Sequence, residues 1–552
     1  MNPCRHPLLP ALLAAALVLM SAAWMRGAEY DEQYTLFLTA GVARPDWPAD
    51  AFPAGEVRRL EAGHASFAAI AHDLRTTDVH PPLYFWTVAA WRALVGDSLF
   101  AARLASVLFS LAALGMVAAI ARLVGIPPAT AVLLTVGCYG FVYTATIARG
   151  FALAQLLTLA GVTALLCAER RASGWIALAG GALLGAATFS NYLAAFAGCA
   201  ALLWSSRSGV CAINNALPLP LGEGAGGGVR RFSDAGHPSP YPFPQGEGED
   251  YAAPPLPLMP AGRHRRLPLA AGLGFAVWLP ADLWFFLAQR QSRLDQFAPF
   301  HAGSAAVQLA RYFAANLLGG LPLYLGGLAS HAVAAALALL LLALTGLTIW
   351  RWRGIAVPDP RRLLAMAAAA PPIGLLLLGF VFNNAPIELR YLAFAMPFVG
   401  LLLAGAFATL PRRAGHMLCG LVLAIQTLSL VGLMTRQETM QPARATASAA
   451  AALVGDGVVL LPHGNDGVGI VGAFAIEAPP TLRLLVVGKD ASAAQMRARV
   501  GRYPRVVLAL LGQDADSRAT VPVMREAFAD PCWRGVGEGF NVLAFVRICS
   551  DE

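Results

Sequence analysis

Runs of about twenty apolar residues recur along this chain, and a soluble fold has no interior large enough to hide them all. A helix needs roughly 20 apolar residues to cross about 30 Å of hydrocarbon. The sequence predicts eleven such helices, near residues 8–25, 100–121, 126–147, 150–168, 174–190, 192–206, 268–288, 332–350, 363–382, 391–410 and 416–434. Composition agrees, because 57% of the 552 residues are hydrophobic and only 13% are charged. A mean hydropathy of +0.59 is beyond what a water-facing surface tolerates. The expectation is an all-α polytopic membrane domain.

The formal charge of +8 does not mark a nucleic-acid-binding face. The basic residues fall in short clusters between apolar runs: Arg122, Arg170 with Arg171, Arg207, Arg263 with Arg265 and Arg266, Arg351 with Arg353, Arg361 with Arg362, and Arg412 with Arg413. That is the pattern of cytoplasmic loop ends. All of them share one side if the N-terminus is cytoplasmic and the stretch from Pro81 to Gly96 is not a full crossing. This stretch opens with Pro81-Pro82 and holds Arg92, which suits a helix lying in the outer interface. The first span has the basic start of a signal peptide, with Ser21-Ala22-Ala23 as a possible processing site. It is read here as a retained span, because carboxylates follow it so closely. Residues 1–435 then form the membrane domain, with outer loops at about 26–99 and 289–331, and residues 436–552 form a periplasmic domain.

Residues 207–267 are dense in Pro and Gly and carry a near-repeat, Pro-Leu-Pro-Leu-Gly-Glu-Gly at 218–224 and Pro-Phe-Pro-Gln-Gly-Glu-Gly at 242–248. Such a segment buries too little apolar surface to offset chain entropy and reads as a disordered cytoplasmic loop. In the C-terminal part, short β-rich runs at Val458–Leu461, Leu482–Val487, Arg505–Leu511 and Asn541–Ile548, with a helix near Ala491–Val500, predict a small α/β layer. Gly464, Gly467 and Gly469 follow a strand, but not at dinucleotide-fingerprint spacing, and read as a plain loop. Cys532 and Cys549 share the outer domain and are candidates for a disulfide. His64 and His72 read as surface residues, and no Cys or His spacing suggests a metal.

The chemistry-bearing residues are concentrated in the first outer loop. Asp31 and Glu32, in Glu29-Tyr-Asp-Glu-Gln-Tyr34, stand where a membrane helix meets water, an expensive place for charges and a good one for a base. Asp78-Val-His80-Pro-Pro-Leu-Tyr-Phe-Trp86 and Gly96-Asp-Ser-Leu-Phe-Ala-Ala-Arg-Leu104 follow. Ala148-Arg149-Gly150-Phe151, Ser190-Asn191-Tyr192-Leu193 and Arg390-Tyr391 continue the series. Together these residues resemble the GT-C superfamily of membrane glycosyltransferases. The likeness is to the family-39-like branch of protein mannosyltransferases and the aminoarabinose transferase of lipid A, and to the Rhizobium lipopolysaccharide galacturonosyltransferases. Gly150-Phe151 and Ser190-Asn191-Tyr192 depart from the family's usual Met-Tyr and Thr-His-Tyr.

The resemblance implies a GT-C-type fold in the inner membrane with a periplasmic active site. It further implies an inverting transfer of a sugar from a polyprenyl phosphate to an acceptor hydroxyl on a lipid, glycan or protein. Asp31 then corresponds to the base, and Glu32 to an orienting or acceptor-binding carboxylate. His80, Arg149, Arg390 and Tyr391 correspond to donor-phosphate contacts, and Asn191 and Tyr192 to possible substrate contacts. No cofactor is expected, although a divalent cation is compatible with the pattern. The alternative from another class is a transporter or flippase of envelope glycan precursors, which normally carries midplane charges or an internal repeat. Deleting the Pro- and Gly-rich segment of about 207–267 should leave turnover intact, as measured on the purified shortened chain.

Overall fold

The computed structural model describes residues 7–214, 266–289, 299–320, 327–355, 358–384, 386–435 and 442–549. The Pro- and Gly-rich stretch expected to be disordered lies outside these, apart from its ends.

Among the described residues, seven helices are long and apolar enough to cross a membrane: Leu8–Met25, Leu99–Val124, Phe151–Arg171, Ala329–Trp350, Asp359–Phe382, Leu389–Ala408 and Arg412–Thr435. Two further apolar helix pairs are each bent at a short break, and counting each pair as one span gives nine among the described residues. The other two expected spans are also helical, but Gly174–Thr188 has only 15 residues, and the second runs from Ala194 to Asn214. The expectation that 81–96 does not cross fits a helix of 13 residues at Leu83–Val95.

The breaks have local causes. Pro128–Gly137 and Tyr139–Ala145 meet at 76°, and the Gln426 side chain occupies the corner. It donates to the Leu317 carbonyl at 2.8 Å and lies 3.4 Å from that of Leu134. Gly137 has to be glycine there, because a Cβ would collide with the Gln426 amide. A side chain inserted into a helix ladder is a standard origin of a sharp bend. The second break, 45° between Arg266–Ala276 and Leu279–Gln289, precedes Pro280. Proline cannot donate its missing N–H and so starts the second half.

The expected outer loop at 289–331 contains a helix, Ala302–Leu318. Its polar residues explain both why it was read as loop and what it does. Gln308 donates to the Ile387 carbonyl at 2.9 Å and Asn316 to that of Leu389 at 2.7 Å, pinning the segment that leads to Arg390.

The C-terminal part holds a six-stranded sheet in the order β1-β3-β2-β4-β6-β5. Its strands are β1 (Phe52–Pro53), β2 (Val458–Pro462), β3 (Arg483–Val487), β4 (Arg505–Ala509), β5 (Trp533–Gly539) and β6 (Val542–Arg547). β2 runs parallel to β3 and β4, while β1, β5 and β6 pair antiparallel. Four of these strands match the β-rich runs. β5 escaped notice because Gly535, Gly537 and Gly539 lower its β propensity, and β1 because it comes from the first loop. Cys532 and Cys549 are joined in a disulfide.

The glycine loop after β2 serves docking. Gly464 and Gly467 adopt left-handed φ of +74° and +72°, turning the chain into the helix Gly469–Glu477. That helix lies against Tyr30–Ala40. A Cβ on Gly469 would strike the Tyr30 ring, and one on Gly472 would come within 2.6 Å of Gln33 Oε1.

Glu61 ends the helix Ala54–Glu61 and is only 5% exposed. Arg92 beside it donates to the Glu61 backbone carbonyl and to the Thr39 hydroxyl. Burial therefore outweighs the attraction of Arg92 and Arg58, and the carboxyl is pushed up to about 8. The folded state holds this proton while an unfolded chain with the ordinary value of 4.5 releases it. Glu61 thus removes stability as pH rises from about 4.5 to about 8. Glu61→Gln should match the wild type's thermal midpoint near pH 4.5 and exceed it by a growing margin up to pH 8.

Candidate active site

The helix Tyr30–Ala40 starts in a capping box. Glu29 is extended, its side chain accepts from the backbone of Glu32, and Glu32 Oε2 accepts the Glu29 N–H at 3.0 Å. Carboxylates in a first helical turn also meet the positive end of the backbone dipole. Successive side chains on a helix point about 100° apart, so the two adjacent acids have different surroundings.

Glu32 faces inward and is fully buried. Arg103 grips it with two bonds, Nε at 2.7 Å and Nη2 at 2.5 Å, and the Ala148 N–H donates to Oε1 at 2.9 Å. Arg103 also donates to the carbonyls of Ala23, Arg26 and Gly27. Arg26 in turn pairs with Glu29 and donates to the Tyr143 carbonyl at 3.1 Å and the Thr146 hydroxyl at 3.0 Å. Three separate stretches of chain are tied together at Glu32, which leaves it no open face for an acceptor.

Asp31 instead forms an ion pair with Arg390, which also holds Glu388 at 2.6 Å. The Arg390 guanidinium lies 5.4 Å from the centre of the Tyr391 ring, and that ring stacks on Phe151 at 6.4 Å.

A second charged group stands at the end of the following helices. His80 Nδ1 is 2.8 Å from Asp78, which also accepts the Val79 N–H at 2.6 Å. Arg149 Nη2 lies 3.4 Å from the His80 ring. Its guanidinium is flanked by the rings of Tyr34 at 5.6 Å and Phe85 at 5.9 Å. Burial alone would raise the Asp78 carboxyl, but His80, the Val79 N–H and Arg149 hold it well below the usual carboxylate range. Arg149 Nη1 is buried and meets no hydrogen-bond acceptor among the described residues. An unsatisfied guanidinium nitrogen of this kind is costly unless an anion completes it.

Beside the two groups lies a groove with about 1020 Å³ of empty space, which His80 of one group and Tyr391, next to Arg390 of the other, help to line. Phe286, Leu375, Leu378 and Phe382 make its apolar part, and His80, Asn191, Tyr192, Gln289, Asn384 and Tyr391 its polar part. Gln289 holds the polar part in shape, accepting from the Tyr192 hydroxyl at 3.0 Å and donating to the His80 carbonyl at 3.0 Å. The structure therefore brings His80, Asn191, Tyr192 and Tyr391 together on the groove, with Arg149 behind His80 and the Asp31–Arg390 pair beside Tyr391. Glu32 stands apart. Asp78, Tyr34 and Gln289 have no assigned role at the level of sequence, where Glu388 figures only as a partner for Arg390. Only Asp78 had a local signal, its place two residues before His80.

Residues 79–213 match the family model described as dolichyl-phosphate-mannose-protein mannosyltransferase. Among solved structures, ArnT from Cupriavidus metallidurans bound to undecaprenyl phosphate superposes with a TM-score of 0.50 at 13% identity, over 99% of this chain and 99% of that one. The same ArnT in the apo state gives 0.50 and 13% over 98% of each. No curated protein sequence matches significantly. The fold is like that of this ArnT, built from apolar helices and a small C-terminal sheet. His80, Arg149 and Asn191, each in a turn between helices, fall within the residues matched by the family model.

Removing one partner of a buried ion pair costs about 3–5 kcal/mol. Arg103→Ala should therefore abolish accumulation of monodisperse protein in detergent, whereas Asp31→Asn should purify normally, as size-exclusion profiles would show.

Proposed function

We propose that this protein transfers a sugar from a polyprenyl-phosphate donor to an acceptor hydroxyl at the periplasmic face of the bacterial inner membrane. The observation that carries this reading is the buried Arg149 nitrogen without an acceptor, placed behind His80 at the polar end of an apolar groove. A polyprenyl chain suits the Phe286, Leu375 and Phe382 wall, and its phosphate would complete Arg149 and reach Arg390. The ArnT that shares the fold was solved with undecaprenyl phosphate, which supports this class of donor.

In the proposed reaction the acceptor oxygen attacks the anomeric carbon from the face opposite the phosphate. The new C–O bond forms as the bond to the phosphate oxygen breaks, so configuration inverts. Asp31 takes the acceptor proton, and the polyprenyl phosphate departs with the bonding electrons. The leaving group is already anionic, so no general acid or cofactor is required, and Arg149, Arg390 and His80 stabilise its growing charge. Arg390 is shared between Asp31 and Glu388. A donor phosphate that draws Arg390 toward itself would free Asp31 for the acceptor.

A positioned base contributes about 10²- to 10⁴-fold. Asp31→Asn should lower turnover of an undecaprenyl-phosphate-linked sugar by at least about 10²-fold while still binding undecaprenyl phosphate. Mass spectrometry of the products identifies the transferred group. Unchanged turnover in that variant would refute the assignment, and vectorial movement of the lipid without a new glycosidic bond would favour a flippase.

A further inference from the structure

A short path links the C-terminal layer to Arg149. Asp466 lies in the glycine loop between β2 and the helix Gly469–Glu477, where its Oδ1 accepts the Val468 N–H at 3.0 Å. Its Oδ2 accepts the Tyr34 hydroxyl at 2.7 Å and pairs with Arg44. The Tyr34 hydroxyl also sits 3.0 Å from that of Tyr30, which reaches Asp514 at 3.2 Å. Burial, with Tyr30 and Asp466 adding to it, keeps the Tyr34 phenol well above its usual range, so it remains a donor. The hydroxyl end of Tyr34 is thereby fixed from residues 432 positions away in sequence.

The face of the same ring looks at Arg149 from 5.6 Å, with Phe85 5.9 Å from the guanidinium as its other aromatic neighbour. A guanidinium beside aromatic rings is held by quadrupole attraction, and the ring planes limit its rotation. Phe85 belongs to the same helical region as His80. Tyr34 is the neighbour whose position is set by the C-terminal layer.

We propose that Asp466 is a positioning residue for the donor-phosphate contacts, holding the Tyr34 ring so that Arg149 keeps its orientation toward His80 and its free nitrogen toward the anion. This rests on the proposed role of Arg149. The C-terminal layer would then set donor affinity without touching the donor.

The test measures binding of undecaprenyl phosphate to the full-length protein in detergent micelles, together with thermal midpoints. Asp466→Ala should weaken binding by about 5-fold, the scale of one orienting cation–π contact. Tyr34→Phe keeps the ring and loses the tether, and should weaken binding similarly. Because both act through one path, the double variant should bind no worse than the weaker single variant. Asp466→Asn retains an acceptor for the hydroxyl and should recover most of the affinity. Glu477→Gln perturbs a different contact of the same layer, the Arg444–Glu477 pair, and should leave affinity unchanged even if the midpoint falls. Wild-type affinity in Asp466→Ala, additive losses in the double variant, failure of Asp466→Asn to rescue, or an equal loss in Glu477→Gln would each overturn the positioning role. If the wild type itself binds no undecaprenyl phosphate, the proposed function fails instead.

Discussion

The grip of Arg103 on Glu32 is the interaction on which the rest of the site depends. A carboxylate and a guanidinium buried this completely persist only with good geometry and with their remaining valences satisfied. Glu32 meets that condition through two bonds from Arg103 and one each from the Glu29 and Ala148 backbone. The same bonds fix the rotation of the helix Tyr30–Ala40, which turns Asp31 toward Arg390. They also anchor Ala148, one residue before Arg149. One buried pair thus helps to place both Asp31, paired with Arg390, and Arg149, beside His80.

Charge near the groove is balanced in two separate sets. Asp31, Arg390 and Glu388 form one, and Asp78, His80 and Arg149 the other. In the second set Asp78 is so strongly held by His80 and Arg149 that it stays ionised, which keeps the His80 ring oriented by a fixed partner. In the first set Arg390 divides itself between two carboxylates, so an incoming anion competes against a partner that can be replaced. The contrast between a set locked by several bonds and a set sharing one cation suits the proposed reaction, in which a phosphate departs and an acceptor hydroxyl loses a proton.

Much of this architecture was legible in the sequence because it depends on local pattern. The apolar runs mark the spans by length, the Val- and Leu-rich runs mark β2, β3, β4 and β6, and the resemblance picks out His80, Asn191, Tyr192 and Tyr391 among the groove's polar groups. What stayed hidden depends on partners remote in the chain. The bend at Cys138 is imposed by Gln426, the helix Ala302–Leu318 is stabilised by carbonyls near Arg390, and the inward role of Glu32 needs Arg103, 71 residues on. A dipeptide of two acids carries no mark of which one turns inward.

The two-residue strand Phe52–Pro53 pairs with Leu484 and Arg483 at the edge of the sheet. A ribosome finishes the first loop long before it reaches those partners. During synthesis the edge strand of the loop bearing Asp31 therefore stays without its partner until the chain has been made as far as Leu484. A product truncated before β3 that keeps every membrane helix would still have this strand unpaired.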